Sequence, residues 1–405
     1  MTVEITQALD LIEEAVTALK VEIVPIENAV GRILAQDIKA SQNLPAFDNS
    51  AMDGYALSCS DSEKTLQVTH TIFAGDKIVD EVVAGKPMKI MTGAPIPKGC
   101  EAIVPIEDVD VDGENITFPK NIEKGRHIRY KGEDIAVNDL LLAQGTKVYG
   151  FHIALLASQG ISHVQVYKRP KVAVFGTGEE LKMHFESVAE HQIYNSNAPT
   201  FLARAKELGA EVAFMGSAKD NLEDIKAHIE ASLDADLIIT SGGVSVGDAD
   251  FTKEAFDAFG IERLFEKVNI KPGKPTSLGK IGKSWVINLP GNPLAALINF
   301  ELFGSKLIHK LSGNRASHLG TIQAVSKEKL SIKAGRVTVI PGFWDGESFT
   351  GTRKRSPGMI SPLIQSNAML ILGQNSEGFE AGESMKILSL HAVHSSYENK
   401  SIINE

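Results

Sequence analysis

Leu9, Ile12, Val16 and Leu19 recur at three- and four-residue spacing, which predicts an amphipathic helix over 5–19. Residues 21–38 then alternate loosely around Pro25 and Gly31 and predict short strands. Between 44 and 147 no helical period emerges. The apolar runs 66–73, 88–91 and 102–105 are cut by Gly, Pro and Asp-Gly pairs, the pattern of a small β-rich insert. A helix is predicted over 150–159, and the basic link Lys168-Arg169-Pro170-Lys171 marks a boundary. Past it the rhythm becomes strand, loop, helix. Apolar strands at 172–175, 211–215, 237–240 and 285–289 alternate with helices at 198–208, 222–233 and 253–259. A long helix over 293–311 opens on proline, which suits a first turn. Continuous apolar strands separated by helices imply an α/β domain whose mainly parallel sheet is covered on both faces. From about Ser317 the pattern returns to short strands, at 337–340, 369–372 and 385–388, and implies a small β domain.

At 405 residues the chain can hold two to four domains with real cores, and 43% hydrophobic against 23% charged residues is a globular balance. No window approaches the roughly 18 apolar residues of a membrane span. Residues 1–10 carry acids and no basic segment, so no signal peptide and no membrane are expected, and a cytoplasmic location is. Cys59 and Cys100 cannot build a disulfide framework or a four-thiolate zinc site, and are expected as small buried hydrophobes. The eleven histidines show no metal-ligand spacing and read as structural or exposed, His391 and His394 in a strand. A net charge of −10 argues against nucleic acid as a partner, yet a few local lysines can still bind a small anion.

The informative feature is where the glycine-rich loops fall. Gly176-Thr177-Gly178-Glu179-Glu180 follows the first strand of the α/β pattern, Ser241-Gly242-Gly243-Val244-Ser245 the third, and Pro290-Gly291-Asn292-Pro293 the last. Ligands of open α/β sheets bind at the carboxyl ends of strands, where bare backbone N–H groups and helix N-termini can meet an anion. Neither a P-loop nor a complete dinucleotide fingerprint is present. Between the loops lies Lys271-Pro272-Gly273-Lys274-Pro275, preceded by Lys267, a stiff segment whose ammonium groups suit an oxyanion. Asp53, Asp134, Glu180, Asp220 and Asp250 occupy Gly-rich or polar turns, and such oxygen donors suit Mg²⁺ bridged to phosphates. Taken one at a time, turn capping or solvation also accounts for each.

Together these motifs resemble the molybdopterin molybdotransferases, the MoeA type and the E domain of gephyrin. The matching stretches follow in the family's order: Phe47-Asp48-Asn49-Ser50-Ala51-Met52-Asp53-Gly54-Tyr55-Ala56, Met91-Thr92-Gly93-Ala94-Pro95 and Gly132-Glu133-Asp134-Ile135 lead. The three loops and the Lys271–Pro275 segment complete the set. The resemblance implies a four-part protomer. An elongated dimerisation segment (1–44 and 130–168) carries a β-rich insert (45–129), followed by a three-layer α/β molybdopterin-binding domain (169–316) and a β-barrel-like domain (317–405). It also implies a homodimer whose site joins one subunit's α/β domain to its partner's insert. The implied chemistry is insertion of molybdate into adenylated molybdopterin with release of AMP, assisted by Mg²⁺. Asp53, Asp134, Glu180, Asp220, Asp250, Lys267 and Lys271 would serve catalysis, with Glu180, Asp220 and Asp250 as metal ligands. Thr92, Gly176, Thr177, Ser241, Gly242, Gly243, Ser245, Lys271, Lys274, Pro290, Asn292 and Pro293 would line the ligand. The adenylyltransferase that makes the substrate and the enzymes that accept the cofactor would be partners. Two departures stand out: Glu179 replaces the family's usual Asp, and the basic stretch Arg353-Lys354-Arg355 lacks the full glycine-serine pattern after it. A non-catalytic pterin-binding scaffold is the runner-up reading, separated from the enzyme by turnover.

Overall fold

The computed structural model describes residues 1–77, 81–243 and 251–390. The chain divides into two compact units. One comprises Met1–Ala35, Gly145–Ile153 and the chain from His163 onward; the other comprises Gln36–Gln144 and Ala154–Ser162.

The larger unit is built on a six-stranded sheet. Its strands are β1 (Lys171–Thr177), β2 (Glu211–Ala218), β3 (Leu237–Ser241), β4 (Glu262–Phe265), β5 (Ser277–Ile281) and β6 (Ser284–Leu289), in the order β2-β1-β3-β6-β5-β4. The four strands legible in the sequence pair in parallel, and the two that were not, β4 and β5, form an antiparallel edge. Those two were hidden because Arg263, Gly279 and Lys280 break the apolar run that marks a fully buried strand. Side chains alternate across the sheet. Val172, Val174, Leu237, Ile239 and Ile287 pack on one face beneath α1 (Ile5–Ala15), α3 (Asn197–Glu207) and the chain from α6 (Pro293–Asn299) to α7 (Ser305–Leu311). Phe175, Ile238 and Val286 pack on the other face against α4 (Leu222–Ser232) and α5 (Phe251–Ala258). The helix α2 (Gly150–Ser158) lies outside this packing. The expected single helix over 293–311 is instead interrupted by a π-helical turn, Phe300–Gly304.

A closed five-stranded barrel follows, formed by β7 (Thr321–Ser326), β8 (Thr338–Trp344), β9 (Ser348–Gly351), β10 (Ala368–Leu372) and β11 (Ser384–Ser389). Its Val339, Met369 and Leu388 belong to the same apolar cluster as one face of the sheet, so barrel and sheet share a core. In the smaller unit, Gly54–Leu57 is the centre of a four-stranded sheet between Met88–Ile90 and Ala102–Pro105. The expectation of two small buried cysteines is corrected here: Cys59 and Cys100 are half-buried. Burial still pushes the Cys100 thiol up to about 11, so it stays protonated and unreactive at neutral pH. No described helix is long and apolar enough to cross a membrane. His391 and His394 lie outside the described residues.

Candidate functional site

The register brings the loops together. Gly176 pairs with Ser241, Ser241 with Leu289, and Thr177 with Ala218, so β1, β2, β3 and β6 end side by side. Their following loops, carrying Glu180, Asp220, Gly242-Gly243 and Pro290-Gly291-Asn292-Pro293, therefore line one edge of the sheet. Ser245 and Asp250 lie within 244–250, outside the described residues.

The glycines do more than bare the backbone for an anion. A Cβ on Gly242, where φ is +102°, would lie 2.4 Å from the Thr177 carbonyl oxygen, and one on Gly291 would lie 3.5 Å from the Gly242 Cα. Loop packs on loop: at Gly242 only glycine leaves room, whereas at Gly291 the approach is an ordinary contact. Ser241, expected to face a ligand, is 4% exposed. Its hydroxyl accepts from Asn197 Nδ2 at 2.7 Å and donates to the Pro290 carbonyl at 3.1 Å, so it braces the loops. The start of α6 is likewise occupied: the N–H groups of Leu294 and Ala295 donate to the Pro357 carbonyl at 2.9 and 3.4 Å. That helix end offers these amides to no anion, contrary to the expectation from sequence.

What the edge does offer is a set of buried polar atoms without hydrogen-bond partners among the described residues: Thr177 Oγ1, Asn195 Nδ2, Asn197 Oδ1, Ser217 Oγ and Thr252 Oγ1. Asn195 Nδ2 points at Gly176, 2.9 Å from where a Cβ would stand. Orphaned groups are rare in folded interiors, and each calls for a partner such as an ordered water, an ion or a ligand. Glu180 and Asp220 stand exposed beside them. Among the described residues no three carboxylate, histidine or cysteine groups converge as a metal cage. Exposed carboxylates such as these are the kind of oxygen donor that Mg²⁺ takes beside phosphate and water.

Next to this edge opens a cleft of about 610 Å³ lined by Lys271, Lys274, Lys333, Arg336, Pro290 and Asn292, among others, with no carboxylate in its lining. Its geometry rests on two braces. Lys271 N–H donates to the Val337 carbonyl and Val339 N–H donates to the Lys271 carbonyl, both at 2.8 Å, which ties the lysine loop to β8. Asn299, fully buried, donates to the carbonyls of Pro272 and Ala295 at 3.3 and 2.7 Å. Gly273, with φ of +104°, lies against that amide: a Cβ there would be 1.8 Å from Asn299 Nδ2. The Lys271–Pro272 peptide is cis. Lys267 is exposed on a short strand beside Thr2 and does not line the cleft. Lys333 and Arg336 were missed from sequence, because a basic Lys-Ala-Gly-Arg turn is indistinguishable from solvated surface until its neighbours are known. Asn299 did leave a signal, as a lone amide in the apolar run from Leu294 to Phe300. The stretch Arg353-Lys354-Arg355 is partly engaged internally: Arg353 pairs with Glu328 at 2.8 Å and Arg355 donates to the Thr352 carbonyl at 3.1 Å.

In the smaller unit the structure joins two expected residues. The Asp53 carboxylate accepts from Thr92 N–H at 2.6 Å and from Thr92 Oγ1 at 2.7 Å. The backbone bond first, then the hydroxyl, hold it below the usual carboxylate range. Both Thr92 donors are thereby engaged on Asp53. Asp134 is exposed on a turn held by its own N–H on the Leu44 carbonyl at 3.1 Å.

Known proteins match most of the chain. Residues 3–160 match the MoeA N-terminal region (domain I and II), 173–310 a probable molybdopterin binding domain, and 323–390 the MoeA C-terminal region (domain IV). A molybdopterin molybdenumtransferase of Haemophilus influenzae is 36% identical over 390 residues, spanning 93% of this chain and 96% of the relative. One from Staphylococcus aureus is 31% identical over 411 residues, with 95% of each covered. The crystal structure of a molybdopterin biosynthesis MoeA protein from Pyrococcus horikoshii superposes with a TM-score of 0.85 at 28% identity, over 96% of this chain and all of that one. A second such structure gives 0.84 at 30% identity, over 97% of this chain and all of the other. The chain belongs to the MoeA family of molybdopterin molybdenumtransferases.

Proposed function

We propose that this transferase of molybdenum cofactor biosynthesis inserts molybdate into adenylated molybdopterin and releases AMP, in the cytoplasm and with Mg²⁺. The observation that carries the reading is the acid-free cleft of Lys271, Lys274, Lys333 and Arg336 opening beside the orphaned polar edge. A chain of net charge −10 repels anions in general, so a four-cation cleft concentrates them locally. Lysine and arginine there would hold the dianionic oxyanion. The hydroxyls of Thr177 and Ser217 and the Asn195 amide would donate to phosphoryl oxygens, and the Asn197 carbonyl would accept from a ring or sugar donor. Glu180 and Asp220, with Asp250, would hold Mg²⁺, which when bound offsets charge on the phosphoryl oxygens.

Asp53, Asp134, Lys267 and Ser245 complete the proposed set on the strength of the family motifs. The four-part domain division belongs to the same reading. So does a homodimer in which a second copy supplies Asp53 fixed by Thr92. Tyr149 and Phe151, 57% and 92% exposed, are apolar surface that a second copy would cover. The substrate-making adenylyltransferase and the cofactor-accepting enzymes are the proposed transient partners.

The test is AMP release from adenylated molybdopterin with Mg²⁺, plus and minus molybdate. Release that requires molybdate, and that falls at least about tenfold in Lys271→Ala or Lys333→Ala, is the expected result. Tight pterin binding without release would overturn the enzyme reading in favour of a scaffold.

A further inference from the structure

A second cationic cavity in the larger unit plays no part in the site described above. It is small and partly open, about 20 Å³, and its lining includes Arg32, Lys147, Lys168, Arg169, His309 and Asn314. That volume admits one or two oxygen atoms and no more. Four of these six side chains are permanent cations at neutral pH, and no residue of the lining is acidic.

Two of the cations are fixed in place. Arg32, 8% exposed, is held by Glu22 and by the Tyr167 carbonyl at 2.8 Å, and Arg169 donates to the Gly209 carbonyl at 3.0 Å. Glu22 answers Arg32 alone. Lys147 and Lys168 have no ion-pair partner among the described residues. Burial first, then Lys147 and Lys306, push His309 down to about 4, so the ring is neutral at physiological pH. Asn314 Nδ2 lies 3.2 Å from His309 Nδ1. An amide nitrogen can only donate, so Nδ1 of the neutral ring accepts and Nε2 carries the proton. The cavity therefore combines uncompensated positive charge with a neutral N–H donor.

We propose that this cavity is a second anion site, which takes the terminal oxygens of a tetrahedral oxyanion, either free or as the end of a phosphomonoester. Four cationic side chains with no carboxylate among the lining suit the several charged oxygens of a sulfate or phosphate group better than a single carboxylate.

The experiment uses the full chain carrying Lys271→Ala, Lys274→Ala, Lys333→Ala and Arg336→Ala, which removes all four cations of the proposed catalytic cleft. Sodium sulfate and AMP are titrated separately by calorimetry at constant ionic strength made up with chloride, while His309 is followed by NMR. One sulfate per chain should bind, with the His309 ring resonances shifting in step. Lys147→Gln or Lys168→Gln should each weaken binding about tenfold, and Lys147→Arg should retain it. Binding of AMP with the same dependence would assign the phosphomonoester as a ligand; sulfate alone would assign the free anion. Absence of sulfate binding, or binding that leaves His309 unmoved and survives both glutamine variants, would overturn the proposal. Lys168 is on the surface, so its variant folds and keeps the test decisive if the Lys147 variant does not. The AMP-release assay is unaffected by either result, so this inference and the enzymatic reading fail separately.

Discussion

Lys306 is 2% exposed in its side chain, and its ammonium meets Glu13 at 2.7 Å; Lys310 reaches the other carboxylate oxygen at the same distance. The hydrogen bonds from Lys306 and then Lys310 hold Glu13 down to about 2, well below an ordinary carboxylate near 4.5. The folded state thus prefers the charged form. The stability this lends is full above pH 4.5 and is lost as the pH falls towards 2. Glu13→Gln leaves the buried Lys306 charge without a counterion. Because Glu13 is itself about a third exposed, we expect a loss of roughly 1–3 kcal/mol at pH 7, less than for a wholly buried pair. The gap in Tm between wild type and variant should close between pH 4.5 and 2; a gap that stays constant would refute the assignment. Asp53 makes a contrasting case. Its carboxylate is exposed and hydrogen-bonded to Thr92, so Asp53→Asn should change Tm by no more than about 1 °C while lowering molybdate-dependent AMP release.

At the scale of elements, the lysine loop depends on a single close approach. Gly273 lies against Asn299 with no room for a Cβ, in a backbone conformation that L side chains rarely adopt. Gly273→Ala should therefore displace the loop from α6, cost about 2 kcal/mol and abolish sulfate binding in the cleft together with activity. Asn299→Ala relieves the crowding but removes the hydrogen bond to the Pro272 carbonyl. It should keep the fold, measured by circular dichroism, and raise KM for molybdate more than it lowers kcat. A variant with unchanged KM would show that the brace is dispensable. The helices themselves were predictable, since a 3.6-residue period with an Asn221 cap and a Gly209 stop is local information. The π-helical turn at Phe300–Gly304 was not, because an apolar run reads alike in either helix type.

For the molecule as a whole, the proposed homodimer makes a prediction that no single-site variant does. Asp53→Ala chains and Lys271→Ala chains, each inactive alone, should regain up to about a quarter of wild-type activity per site when mixed dimers form, if each site draws Asp53 from the second copy. Mixed dimers confirmed by differential tagging but still inactive would rule out a shared site. Phe151→Asp, on the exposed apolar surface, should shift the chain toward monomer in sedimentation at micromolar concentration.

The sequence by itself determined the parallel core of the sheet, the helices that cover it, the β character of the insert and C-terminal region, and the position of each glycine loop after a strand. Periods of 2 and 3.6, strand length and turn residues are local properties, and burial enforces them wherever the chain packs. The family motifs were legible for the same reason: each is a short contiguous string. Only the tertiary structure decided which groups converge. It set Lys333 and Arg336 against Lys271 and Lys274 by pairing the lysine loop with β8, and it engaged the Thr92 donors on Asp53. It also closed the start of α6 with the Pro357 carbonyl. Each of these joins residues distant along the chain, and no local period carries the register that brings them within hydrogen-bond reach.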